Sequence, residues 1–187
     1  MEVKINTKNI LLELLANLEA VDGKELTDFS EAIINAKHIF LAGSGRSGLA
    51  IRAFANRLMH LGLKVSVIGD ITTSYAVKGD LLIIGSGSGE TQSLVAIAQK
   101  AKRNGVQIAL NTISSESTIG KLADVKFILP GASPKVEDEK SIGTSIQPMG
   151  SSYEQLSFII YDAIIMNLMS AMGENENTMF ARHANLE

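Results

Sequence analysis

No cysteine occurs in this chain, which excludes a disulfide framework and any thiolate metal site. Histidines number three, His38, His60 and His183, and no two stand at metal-ligand spacing, so no metal is expected. A run of about 18 apolar residues is missing as well. The richest stretch, 158–172, is broken by Asp162 and Asn167. The opening Met1-Glu2-Val3-Lys4 soon turns polar and does not read as a signal peptide. A cytoplasmic protein with no membrane partner is therefore expected. There is no basic stripe, and the net charge of -3 argues against nucleic acid as a ligand.

What remains is 187 residues, 45% hydrophobic and 20% charged, enough for one globular domain with a substantial core. Residues 1–36 read as two helices, the first carrying Ile10, Leu11, Leu14, Leu15 and Leu18 on a helical period, the second Leu26, Phe29, Ile33 and Ile34. Across 37–129 the period changes. Short continuous apolar runs at 38–42, 65–68, 81–84, 106–110 and 125–129 alternate with helical stretches at 49–61, 92–103 and 118–123. Such runs are typical of strands buried on both faces, and strand–helix alternation gives a parallel sheet. Residues 130–151 have no usable period, and a loop of that length is usually functional or disordered. Residues 152–172 form a helix apolar nearly all round. One side of it can face the sheet and the other calls for a partner subunit, so aspartate at Ile160 or Ile164 is expected to disrupt assembly or folding. The tail, 173–187, is polar and expected to fray.

Two of the apolar runs end in Gly-Ser-Gly. The first continues as Gly43-Ser44-Gly45-Arg46-Ser47-Gly48, the second as Gly85-Ser86-Gly87-Ser88-Gly89-Glu90-Thr91. A strand that turns through glycines into a helix aims backbone N–H groups and the helix's positive end at one point, which suits phosphate. Ser86, Ser88 and Thr91 add three hydroxyls to the second loop. A single phosphorylated ligand held between the loops is the simplest reading. The first loop also fits the dinucleotide fingerprint G-x-G-x-x-G, with Asp70 in the place of a ribose-binding acid. That rival leaves little chain for a second domain and gives the second loop no task. Ser88 as a simple helix cap is the plainer alternative for that loop. By position alone, Glu154 in a first helical turn reads as a dipole partner and His183 as a solvated tail residue.

The second loop resembles the phosphate-binding signature S-x-S-G-x-T of the sugar isomerase (SIS) domain family. The Gln147-Pro148-Met149-Gly150 segment, Glu154-Gln155 and the terminal Arg182-His183-Ala184-Asn185-Leu186-Glu187 are similar to the 6-phospho-3-hexuloisomerase branch of it. The resemblance implies an α/β three-layer sandwich, a five-stranded parallel sheet flanked by helices, flavodoxin- or Rossmann-like, spanning 1–187 as one SIS domain. It further implies a homotetramer and an enediol isomerisation between 3-hexulose 6-phosphate and fructose 6-phosphate in the ribulose monophosphate pathway, with no cofactor. Ser47, Ser86, Ser88 and Thr91, with Gly87 and Gly89, would bind the phosphate. Glu154 would move the proton between C2 and C3, and Arg46 would donate to the enediolate. His183 would reach in from a neighbouring subunit to assist at oxygen, and 130–151 would be the substrate loop. A sugar-phosphate sensor, a pentose or heptose phosphate isomerase and a NAD-binding protein are the alternatives. The sensor would need the phosphate loop but neither Glu154 nor His183.

Overall fold

The computed structural model describes residues 1–131 and 145–186. Residues 132–144 of the expected substrate loop, with the Glu137-Asp138-Glu139 run, lie outside them, as does Glu187. Two helices, α1 (Glu2–Leu18) and α2 (Gly23–Asn35), precede the sheet. Then come β1 (Ile39–Gly43), α3 (Gly45–His60), β2 (Val65–Val67), β3 (Leu81–Gly85), α4 (Gln92–Arg103), β4 (Gln107–Thr112), α5 (Thr118–Leu122) and β5 (Val125–Ile128). Helices α6 (Ser151–Met172) and α7 (Glu176–Phe180) close the chain. All five strands are parallel, in the order β2-β1-β3-β4-β5.

Side-chain alternation along the strands divides the core in two. Ile39, Leu41, Leu81, Ile83 and Ala109 face a cluster with Phe29, Phe54, Tyr161 and Ile164, so α2, α3 and α6 cover that side. Phe40, Ala42, Leu82, Ile84, Ile108 and Leu110 face Leu94, Ala98 and Ile119 of α4 and α5 on the other. The result is the expected three-layer sandwich, and continuous apolar strands are its direct consequence. The edge strand β5 is partly covered by α2, where the Glu25 carboxylate accepts from Ile128 N–H at 2.9 Å.

The strand order reverses direction between β1 and β3, the switch point at which sheets of this kind bind ligands beyond their strand ends. Register places Gly43, Gly85 and Asn111 side by side there. The first turn of α3 lies on the end of β1 so closely that a Cβ on Gly48 would stand 2.9 Å from the Gly43 carbonyl oxygen. Only glycine allows that approach.

Helix α6 is the one described helix long and apolar enough to cross a membrane by length and composition. One stripe of it, including Leu156, Ile160, Ile164 and Leu168, is buried against the sheet. Ile160 and Ile164 are thus core residues, at 3% and 2% exposure, and aspartate at either would report on folding. The unpartnered face carries Phe158, Ile159 and Met166 instead. The tail departs from the expected fraying. Asn175 and Thr178 form a capping box that starts α7, and Arg182 donates to the Glu174 carboxylate and to the His60 carbonyl, each at 2.9 Å.

Candidate active site

Three helices, α3, α4 and α6, begin at the mouth of one cavity of about 470 Å³, a volume suited to a small metabolite. Their N-caps are Ser44, Thr91 and Gly150, and none makes a side-chain cap hydrogen bond. By contrast α2, α5 and α7, whose N-termini do not line the cavity, are capped by Asp22, Ser117 and Asn175. First-turn amides left without side-chain partners at three converging helix ends make an anion seat.

The second glycine loop supplies the hydroxyls. Ser86 Oγ accepts from Gly89 N–H at 3.2 Å, and Ser88 Oγ accepts from Glu90 N–H at 3.3 Å. Each hydroxyl is fixed by accepting, which leaves its own hydrogen to donate to an outside oxygen. Both serines are buried. Ser88 does not cap α4, whose N-cap is Thr91. Gly89 makes the turn with φ +63°, and a Cβ there would stand 2.0 Å from Ser117 Oγ. Gly89→Ala is therefore expected to destabilise the protein by more than about 1 kcal/mol. Stabilisation by inorganic phosphate should vanish with it, and melting curves with and without phosphate check both effects.

The first loop brings Ser44, Gly45, Arg46 and Ser47 to the same cavity, and the start of α6 brings Ser151, Tyr153 and Glu154. Glu154 is the one carboxylate and Arg46 the one cation among the described lining residues. They meet as an ion pair, Arg46 Nε to Glu154 Oε2 at 2.5 Å, with the Arg46 side chain 63% exposed and that of Glu154 20%. The Gln147-Pro148-Met149-Gly150 segment divides. Pro148, Met149 and Gly150 line the cavity, Met149 in a left-handed conformation (φ 56°), while Gln147 turns away to donate to Glu13 of α1 at 3.0 Å.

Beneath the loops lies a polar group that the sequence reading passed over. The Tyr153 hydroxyl donates to the Asn111 carbonyl at 2.9 Å, and burial pushes the Tyr153 and Tyr161 hydroxyls well above their usual pKa, keeping both protonated. The available signal was the polar pair Asn111-Thr112 directly after Ile108-Ala109-Leu110 in a buried strand.

His183 and Asp70 lie elsewhere. The His183 ring stacks on His60, at the far end of α3, with centroids 5.3 Å apart. Burial first, then Arg57 and His183, hold the His60 pKa below the ordinary histidine value. Since α3 rises about 1.5 Å per residue, His183 stands on the order of 20 Å from the cavity of its own chain. Asp70 pairs with Arg52 at 3.1 Å and lines a separate cavity beside β2.

Comparison with known proteins gives a consistent result. The SIS domain family profile matches residues 32–159. A Bacillus subtilis protein named 3-hexulose-6-phosphate isomerase is 47% identical over 178 residues, 95% of each chain. Its Mycobacterium gastri namesake is 38% identical, covering 97% of this chain and 90% of that one. A crystal structure from Methanococcus jannaschii, for which a 3-hexulose-6-phosphate isomerase function was inferred, superposes with a TM-score of 0.82 at 34% identity, covering 100% and 99% of the two chains.

Proposed function

The chain belongs to the SIS domain family, and from that premise we propose how its residues divide the work of a 3-hexulose-6-phosphate isomerase. The protein is a phosphosugar isomerase. The phosphate sits among Ser47, Ser86, Ser88 and Thr91, on the Gly87 amide and the ends of α3 and α4, while Gly89, whose N–H is held by Ser86, makes the turn. Glu154 removes the proton from C2 of the 3-hexulose phosphate, the enediolate forms across C2 and C3, the hydroxyl proton passes from O2 to O3, and the carbon proton returns at C3 to leave the C2 ketone. A carbon acid beside a carbonyl is weak, so the base must be held in place and the enediolate oxygens need donors. Arg46, largely exposed and paired with Glu154, is placed to turn from the carboxylate to those oxygens.

One observation carries this reading: a single carboxylate and the hydroxyl-rich loop share one cavity. A sugar-phosphate sensor has no need of the carboxylate. Incubation with fructose 6-phosphate in D2O tests the difference. Enediol chemistry puts deuterium on carbon, and a protein that binds the ester without exchange would be a sensor. The fall of the ribulose monophosphate reading to a pentose or heptose phosphate would show as faster exchange on those esters.

His183 completes the site in this reading from a neighbouring subunit, within a cytoplasmic homotetramer. Support comes from apolar surface. Of α1 only Leu14 is buried, while Leu11, Leu12 and Leu15 are more than half exposed. A groove of about 490 Å³ lined by Ile10, Leu11, Leu49, Phe158 and Ile159 shares Arg46 and Glu154 with the catalytic cavity. An apolar surface of this kind marks an interaction site. Ile159→Glu, which spares the monomer core, is expected to dissociate the assembly. Light scattering checks this, with a mass still that of the parent assembly as the contrary result.

A further inference from the structure

Asn111, fully buried near the end of β4, is the meeting point of the phosphate loop and α6. Its backbone carbonyl accepts twice, from Ser86 N–H at 3.0 Å and from the Tyr153 hydroxyl at 2.9 Å. Its side-chain amide donates to Ser157 Oγ at 2.8 Å and to the Tyr161 hydroxyl at 3.0 Å. Ser157 in turn donates to the Tyr153 carbonyl at 2.7 Å. Tyr153, Ser157 and Tyr161 are spaced four apart and form one stripe of α6. The Tyr153 ring also lies under the phosphate loop, where a Cβ on Gly87 would meet it at 3.2 Å.

We infer that Tyr153 and Asn111 are positioning residues, which fix the distance from the phosphate seat to the Glu154 carboxylate by bonding both segments to one carbonyl. The inference rests on the reading of the Ser86 loop as phosphate seat and of Glu154 as base. Ser86 and Tyr153 are remote in sequence, so the base finds the bound sugar only through tertiary contacts. Phenylalanine would fill the space of Tyr153, so the hydroxyl contributes direction and not volume. Glu154 is the next residue along, and any tilt of the first turn of α6 carries its carboxylate sideways. A misplacement of about 1 Å can cost about 100-fold in rate.

Tyr153→Phe is therefore expected to lower kcat at least about tenfold, with KM and the inhibition constant of inorganic phosphate held within about twofold. Ser157→Ala, which removes the neighbouring bond from the Asn111 side-chain amide to α6 one turn later, should lower kcat at least about threefold with the same split, and it carries the test alone should Tyr153→Phe not fold. Phe29→Leu, a core change in α2, serves as the comparison at matched loss of melting temperature and should keep the parental kcat. Parental kcat in Tyr153→Phe, or a phosphate constant that weakens in step with kcat, overturns the inference. So does a kcat that follows melting temperature across all three variants. Glu154→Gln run alongside separates the two levels: if it retains carbon exchange, the base assignment itself has failed.

Discussion

Glu154→Gln is expected to lower kcat by about 10²–10⁴-fold, the usual contribution of a positioned base, with little change in KM. The amide keeps the shape of the carboxylate and can still meet Arg46, which reaches Glu154 at 2.5 Å in the parent. What it lacks is the basic lone pair. Carbon-bound deuterium should therefore disappear from fructose 6-phosphate in D2O, while inorganic phosphate still protects the fold. Exchange at near the parental rate would place the base elsewhere, and His183 of a neighbouring subunit would be tested next. Nothing in the cavity offers a second carboxylate among the described residues, so partial substitution by another acid is not expected.

The Ser88→Ala, Thr91→Val double variant should act on binding. Ser88 is buried at 7% exposure, and its hydroxyl already accepts from Glu90 N–H, so its hydrogen serves the ligand. Thr91 makes no cap bond to its own helix. Each lost hydrogen bond to a charged oxygen costs about 1.5–3 kcal/mol, so together they should raise KM by at least about 100-fold. Protection against thermal unfolding by inorganic phosphate should be lost as well. Unchanged KM with unchanged protection would remove these two hydroxyls from the phosphate seat.

The central strands β1, β3 and β4 could be read from the chain because burial on both faces writes itself as continuous apolar runs, and the half-buried edge strands β2 and β5 also fall on such runs. The two Gly-Ser-Gly turns could be read because backbone that approaches a helix start so closely admits little else. Helix α6 shows where reading stops. With apolar residues on nearly every side, its sequence holds no sign that Ile160 and Ile164 face the sheet while Phe158, Ile159 and Met166 do not. That choice depends on where β4 and α3 lie. The short α7 was missed for another reason: it has no apolar stripe and stands on a capping box and on Arg182. Within the site, Ser47, Ser86, Ser88, Thr91, Arg46 and Glu154 were picked from motif and resemblance, and the fold gathers all six around one cavity. His183 instead stacks on His60 at the far end of α3, and the place proposed for it in a neighbouring subunit's site is not legible in one sequence.

The bare leucines of α1 carry a thermodynamic consequence. A helix of 17 residues that buries one side chain, Leu14, gains little from its own chain towards the entropy of ordering. In the assembly proposed above, that helix and the groove beside Glu154 are completed together by association. Folding free energy is then not a quantity that one chain possesses. In that assembly it carries a mass-action term, and dilution is expected to act as a mild denaturant that strikes the catalytic wall and the N-terminal helix first.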